Sequence, residues 1–187
     1  SAEFAHVVYR FGHSMLTADI DRTGFGNDSP SLSLFDAFLN PEAFTNNGAM
    51  TPDEGAAAVL MGMSKQTGNG IDEFVDSTLR NQLLGLPLDL ATFNIARARD
   101  TGSPTLQTMR QVFYDQTLDA GLKPYANWEE FRLGLKNRAS VVNFVAAYST
   151  HPSVEAATTI AGKRAAAQAL VLDPAFMSTP AANSGLN

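Results

Sequence analysis

The 187-residue sequence contains no cysteine. That excludes a disulfide framework, a thiolate metal site and a cysteine nucleophile. It leaves the compartment open, because exported proteins can also lack cysteine. Charge is sparse: 17% of residues are Asp, Glu, Lys or Arg, against 44% hydrophobic, a balance that excludes a disordered chain. Basic residues are the scarcer sign, 13 against 19 acidic, for a net charge of −6 and an isoelectric point near 4.9. Nucleic acid and anionic membrane surfaces are therefore poor partners. Long apolar runs are missing too. The longest, 56–63, falls far short of the ~20 residues of a membrane span. No signal peptide is recognisable. The chain opens on SAEFAHVVYRFGHSML, which reads as mid-helix and has no initiator Met. The expectation is a fragment of a longer polypeptide, one domain or a large piece of one.

What is present reads as helix. Over residues 2–16, Phe4, Val7, Val8, Phe11 and Met15 share one face, while Glu3, His6, Arg10 and His13 gather opposite. A loop rich in turn residues, 18–31, follows. Its DIDRTG start resembles a calcium loop, but the twelfth position from Asp19 is Pro30, where a bidentate Glu is required. A short amphipathic segment ends at Pro41. TPDE at 51–54 caps an Ala-rich helix to Met63. Ile71, Phe74, Val75, Leu79 and Leu83 predict a helix. Asp89 caps another, running to about Asp100 and stopped by Gly102 and Pro104. Further helices are expected at 105–118, after a cap at Asn127 with Glu130 three residues on, at 141–148 and at 158–172. The stretch from Asp173 onward reads as irregular. No repeat or period-two strand run stands out, so the fold class is mainly α with almost no sheet.

Only His6, His13 and His151 are available as imidazoles. His13 has Arg10 one turn earlier and Gly12 beside it. A neutral imidazole is a natural iron ligand, and a neighbouring guanidinium suits a propionate. Spacing by itself favours an ordinary solvated helix face. His6 and His13 lie two turns, about 10 Å, apart, too far to share one ion, so His6 reads as structural or exposed. His151 sits in a turn-like YSTHPS segment and reads as a surface residue. A second constellation is LDLATFNIARARDTGSP. There Asn94 and Arg97 share a helix face. An Asn amide can hold the far nitrogen of a ligating imidazole, and Arg97 can pair with a carboxylate bidentately. Alone, this too reads as a solvated helix. No nucleophile elbow, Walker loop or dinucleotide fingerprint occurs. The charge is uneven. Residues 1–89 hold four basic and twelve acidic residues, a net of −8; residues 90–187 hold nine and seven, a net of +2.

Taken together, YRFGHSML and LDLATFNIARARDTGSP resemble the animal-type haem peroxidase superfamily, with closest similarity to its microbial members. Family members carry the proximal ligand in an aromatic-Arg-aromatic-Gly-His-Ser/Thr segment. An Asn-x-x-Arg-x-Arg-Asp-x-Gly segment follows some eighty residues later, and the step from His13 to Asn94 is 81. LFDAFLNPEAF, GNGIDEFVDSTLRNQLLG, WEEF and VAAYSTHPS also look like the family, so the resemblance covers essentially the whole chain. It implies a mainly α, multi-helix fold. It implies that His13 is the axial iron ligand, that Asn94 holds its second nitrogen, and that Arg10 and Arg97 contact haem propionates or the haem edge.

The implied activity is that of a haem-dependent peroxidase. Haem b (iron protoporphyrin IX) and hydrogen peroxide oxidise a small donor: a halide, a pseudohalide such as thiocyanate, or a phenol. Export from the cell and a link to oxidative stress are implied with it. Fatty-acid dioxygenases of the same superfamily place a radical-forming Tyr three residues before the proximal His. Arg10 stands there, with Tyr9 one step earlier, which favours peroxidase. A haem-free helical interaction module on the same fold is the other alternative. Thr101 stands where many relatives have His. The family's distal His, Arg and Gln, its calcium loop and its haem-esterifying acids precede the proximal helix. The whole of 1–187 is therefore expected to be the proximal half of one catalytic domain. It would rely on the remainder of the polypeptide for the distal side and any calcium, and would do little peroxidase chemistry alone.

Overall fold

In the computed structural model, which describes residues 1–24 and 31–186, helices begin where the sequence supplies caps. The chain divides into two units, Ser1–Thr101 and Gly102–Asn187, each with a core of its own. In the first unit, Ser1 caps α1 (Ala2–His6), its side chain accepting from the Phe4 N–H. The helix expected across 2–16 does not continue as one piece. Val7 leaves helical geometry at φ −121°, and Val8–Met15 is wound as a 3-10 helix. The β-branched pair Val7 and Val8 crowds the preceding turn, and hydrogen bonding changes register there. The Val7 N–H still reaches Glu3 O (2.9 Å), whereas the Arg10 N–H reaches Val7 O (3.1 Å).

Asp19–Ile20 (β1) and Leu32–Ser33 (β2) form a two-residue antiparallel ladder, Asp19 opposite Ser33 and Ile20 opposite Leu32. It is too short to leave a sequence period. The expected 18–31 loop is described only at its ends; residues 25–30, Pro30 among them, lie outside the described residues. Helix α2 (Leu34–Ala37) follows. Next comes α3 (Pro52–Met63), whose capping box is complete: the Thr51 side chain accepts from the Glu54 N–H, and the Glu54 carboxylate accepts from the Thr51 N–H. Gly55, Ala58 and Gly62 form its buried stripe. The stripe lets backbone approach closely, since a Cβ on Gly62 would overlap the Asp21 carbonyl and one on Gly55 would lie 2.7 Å from Phe44 O.

The helix expected over 71–83 is shorter than predicted. Only α4 (Ser77–Asn81) forms, with Asp76 as its cap. Upstream, the Asp72 carboxylate accepts from the Phe74 N–H at 2.8 Å, a local turn that competes with helix. Helix α5 (Leu90–Asp100) starts on the Asp89 cap as expected and ends at Thr101, before Gly102 at φ +74°. It packs against α1. Leu34, Leu79 and Leu83 make the small buried core of this unit.

The second unit runs through α6 (Leu106–Thr117), α7 (Trp128–Gly134), α8 (Val141–Tyr148), α9 (Pro152–Glu155), α10 (Ile160–Val171) and α11 (Pro174–Met177). Its core is larger, built around the fully buried Trp128, Val141 and Val145, with Phe131, Val154 and Phe176 against them. The Trp128 indole N–H donates to Ser184 O at 3.1 Å. The stretch after Asp173 is thus not irregular throughout: α11 and a 3-10 turn at Ala181–Asn183 close the core. The fold is mainly α, with the two-residue ladder as the sheet found among the described residues.

Candidate functional site

His13 and Asn94, 81 positions apart in sequence, meet in the first unit. The Asn94 Nδ2 lies 3.2 Å from His13 Nδ1. The 3-10 winding matters here. At three residues per turn, side chains at i and i+3 eclipse, so Arg10 stacks one turn from His13. Arg10 is half-buried, and its Nε donates to Ala5 O at 3.2 Å. Burial, and secondarily the Arg10 charge, push the His13 imidazole below its usual pKa. Both effects favour the neutral imidazole, the form that ligates metal. Among the described residues His13 Nε2 has no protein hydrogen bond, which leaves one ring nitrogen for a ligand while Asn94 engages the other.

The placement of the amide tests whether these residues fit an iron porphyrin. As drawn, Nδ2 donates to Nδ1 and the Asn94 Oδ1 is buried with no partner. The oxygen and nitrogen of an amide are nearly alike in shape, and which faces a neighbour follows from the hydrogen-bond network. Turned by half a rotation, Oδ1 accepts from His13 Nδ1–H, and the Nε2 lone pair is free for iron. The donor set suits haem: a neutral imidazole braced from behind, with Arg10 alongside. Val8, Tyr9, Phe11 and Met15 stand exposed on the same 3-10 segment, on azimuths other than the one Arg10 and His13 share.

A cavity of about 290 Å³ lies between this segment and α5, and His6, Arg10, His13 and Asn94 all line it. Asp72 and Glu73 complete its polar wall. The Asp72 N–H donates to Ser14 Oγ at 3.4 Å, and Ser14 Oγ donates to Phe11 O at 2.9 Å, so the 72–76 turn is tied to the segment bearing His13. Ser14 lies in the Gly-His-Ser segment and Asp72 and Glu73 in GNGIDEF, but no sequence pattern gave them a place at the site, because their meeting is made by tertiary packing. Arg97 is not in this group. It stands exposed on α5, away from the cavity wall that Asn94 and Ala98 form. Tyr9 is exposed and tilts against Phe4, with ring centroids 5.8 Å apart. His151 is not a free surface residue; half-buried, it caps α9 and packs edge-on against Phe176 at 5.7 Å. Among the described residues no cluster of three His, Asp or Glu side chains suits a metal ion. No helix there is long and apolar enough to cross a membrane.

Comparison with known proteins gives three findings. The sequence pattern of the animal haem peroxidase family matches residues 1–179. Peroxinectin A of Dictyostelium discoideum is 29% identical over 135 residues, covering 70% of this chain and 23% of that protein. Dual oxidase of Drosophila melanogaster is 29% identical over 133 residues, covering 68% of this chain and 8% of that protein. The chain thus spans less than a quarter of the length of either relative.

Proposed function

Because this chain belongs to the animal haem peroxidase family, we propose that it supplies the proximal side of a peroxidase site. The observation that carries the reading is the His13–Asn94 contact at 3.2 Å. His13 would hold the iron of haem b through Nε2, with Asn94 accepting from Nδ1–H and fixing the tautomer. Arg10, and Arg97 from the exposed side of α5, neutralise haem propionates. Bound haem supplies the redox centre at which hydrogen peroxide is reduced to water while a halide, thiocyanate or phenol is oxidised. A neutral Asn partner leaves His13 with less imidazolate character than a carboxylate would, which keeps the iron potential high. Arg10, three residues before the axial ligand, supports peroxidase over fatty-acid dioxygenase chemistry. The acid–base group on the peroxide face, and any calcium, are assigned to the remainder of the polypeptide. All of 1–187 is read as part of that one catalytic domain, acting outside the cell.

The test is spectroscopic. In the full-length protein, His13→Ala is expected to abolish the Soret band after haem loading, with helical content kept. An undiminished Soret band in that variant sinks the proposal. Absence of any Soret band in the wild-type protein after loading supports a haem-free interaction module.

A further inference from the structure

Among the described residues, three buried polar side-chain atoms lack a hydrogen-bond partner: His6 Nδ1, Asn94 Oδ1 and Ser103 Oγ. Two of the three belong to residues lining the 290 Å³ cavity beside His13. Leaving a buried donor or acceptor unsatisfied is destabilising, so two such atoms on one cavity need an explanation. The space has room for several waters, and buried water characteristically bridges polar groups of this kind.

The direction of the hydrogen bonds follows from the axial ligand, so this inference rests on the proposed ligation by His13. Iron at Nε2 requires the proton on Nδ1. That proton requires the Asn94 oxygen opposite it. The amide nitrogen then takes the position now drawn for the oxygen and presents its N–H donors to the cavity. An acceptor must meet them. Asp72 and Glu73 also line the cavity; both have interactions of their own, and a carboxylate there can share in accepting. His6 Nδ1 is the buried acceptor there without a partner.

We infer that His6 is a positioning residue for the axial ligand: through water in this cavity its Nδ1 accepts from the Asn94 amide nitrogen, holding the amide oxygen on His13 Nδ1–H. His6 touches neither iron nor substrate. It acts on the iron only by selecting the orientation of one amide. The break between α1 and the 3-10 segment is part of the device, because it sets the azimuth of His6 relative to His13.

The experiment is resonance Raman of the ferrous iron–histidine stretch, with the midpoint potential, in the full-length haem protein. Wild type is expected to show one narrow band. His6→Phe removes the acceptor and fills the water space, and is expected to broaden or split the band and shift the potential. His6→Gln keeps an acceptor and is expected to restore both. A change in His6→Gln as large as in His6→Phe indicates packing alone and overturns the inference. Asn94→Ala separates the two readings. If it alters the band while His6→Phe does not, the inference fails and the ligation stands. If neither variant alters it, the inference and the role given to Asn94 both fail, and His13→Ala decides the ligation. Should His6→Phe not fold, His6→Leu with ¹⁵N imidazole shifts of the haem-free full-length protein serves instead. A single Nδ1–H tautomer of His13 in wild type and a mixture in the variant is expected; one tautomer in both overturns the inference.

Discussion

The neutral charge of Asn94 is the property of the site most open to a single-atom test. Asp in its place keeps the shape and brings a carboxylate to His13 Nδ1, 3.2 Å from the present amide nitrogen. A charge-assisted hydrogen bond is roughly twice as strong as a neutral one, and it favours the ferric state by giving the imidazole anionic character. Asn94→Asp is therefore expected to lower the midpoint potential of the haem protein, by about 60 mV for each 1.4 kcal/mol of added ferric stabilisation in a one-electron couple. Spectroelectrochemistry measures it, and an unchanged or raised potential contradicts the role given to Asn94. At this scale the sequence was informative only through its motifs. Helical spacing left His13 and Asn94 on separate solvated faces, since no local pattern can pair residues 81 apart. The aromatic-Arg-aromatic-Gly-His and Asn-x-x-Arg segments joined them by resemblance, and in the structure the two side chains lie 3.2 Å apart. Nothing local set His6 apart, because its unpartnered nitrogen is a product of packing.

Elements show a different balance. Helix starts were legible wherever the signal is local. Thr51, Asp89 and Asn127 each accept from a backbone N–H two or three positions into the helix they cap, and such bonds depend on a few adjacent residues. Helix interiors were less so. The apolar spacing of 71–83 suggested one helix, yet Asp72 and Asp76 bind backbone N–H groups at Phe74 and Thr78 and confine α4 to its last turns. The Ala-rich run of α3 was read for propensity, while its consequence lies in Gly55, Ala58 and Gly62, one face of small residues against crossing backbone. That face makes Gly62→Ala a decisive substitution. Helix propensity alone predicts a gain of about 0.5–1 kcal/mol. The new Cβ, however, overlaps the Asp21 carbonyl and comes within 2.6 Å of Arg22 N, atoms of the main chain that cannot rotate away. Overpacking of this kind costs about 1–3 kcal/mol or more. The net expectation is a lowered thermal midpoint; a raised one would show that the 21–22 backbone yields.

For the whole molecule, the two units differ in how much apolar surface each gathers. The second has a continuous core from Trp128 to Leu186, with Trp128, Val141, Val145 and Ala167 wholly buried. Helices α8 and α10 pack together within it. The first has Leu34, Leu79 and Leu83 as its buried cluster, and its site-bearing segment 8–15 buries only Ser14. Local opening free energy follows buried contacts, so the unit that carries His13 and Asn94 is expected to open more readily than the other. Amide exchange is accordingly expected to be slowest at 141–148 and 160–171, and markedly faster at 2–15 and 90–100. Haem bound at His13, as proposed, would couple to that difference, because a ligand that binds only the closed form stabilises it by about 2.7 kcal/mol at a free concentration a hundred times its Kd. Adding haem to the full-length protein should therefore slow exchange at 2–15 and 90–100 by up to about a hundredfold, while 141–171 changes little. Hydrogen-exchange mass spectrometry resolves these peptides. Equal protection across both units without haem would refute the asymmetry. Protection gained chiefly in the second unit on haem addition would place the ligand elsewhere than at His13.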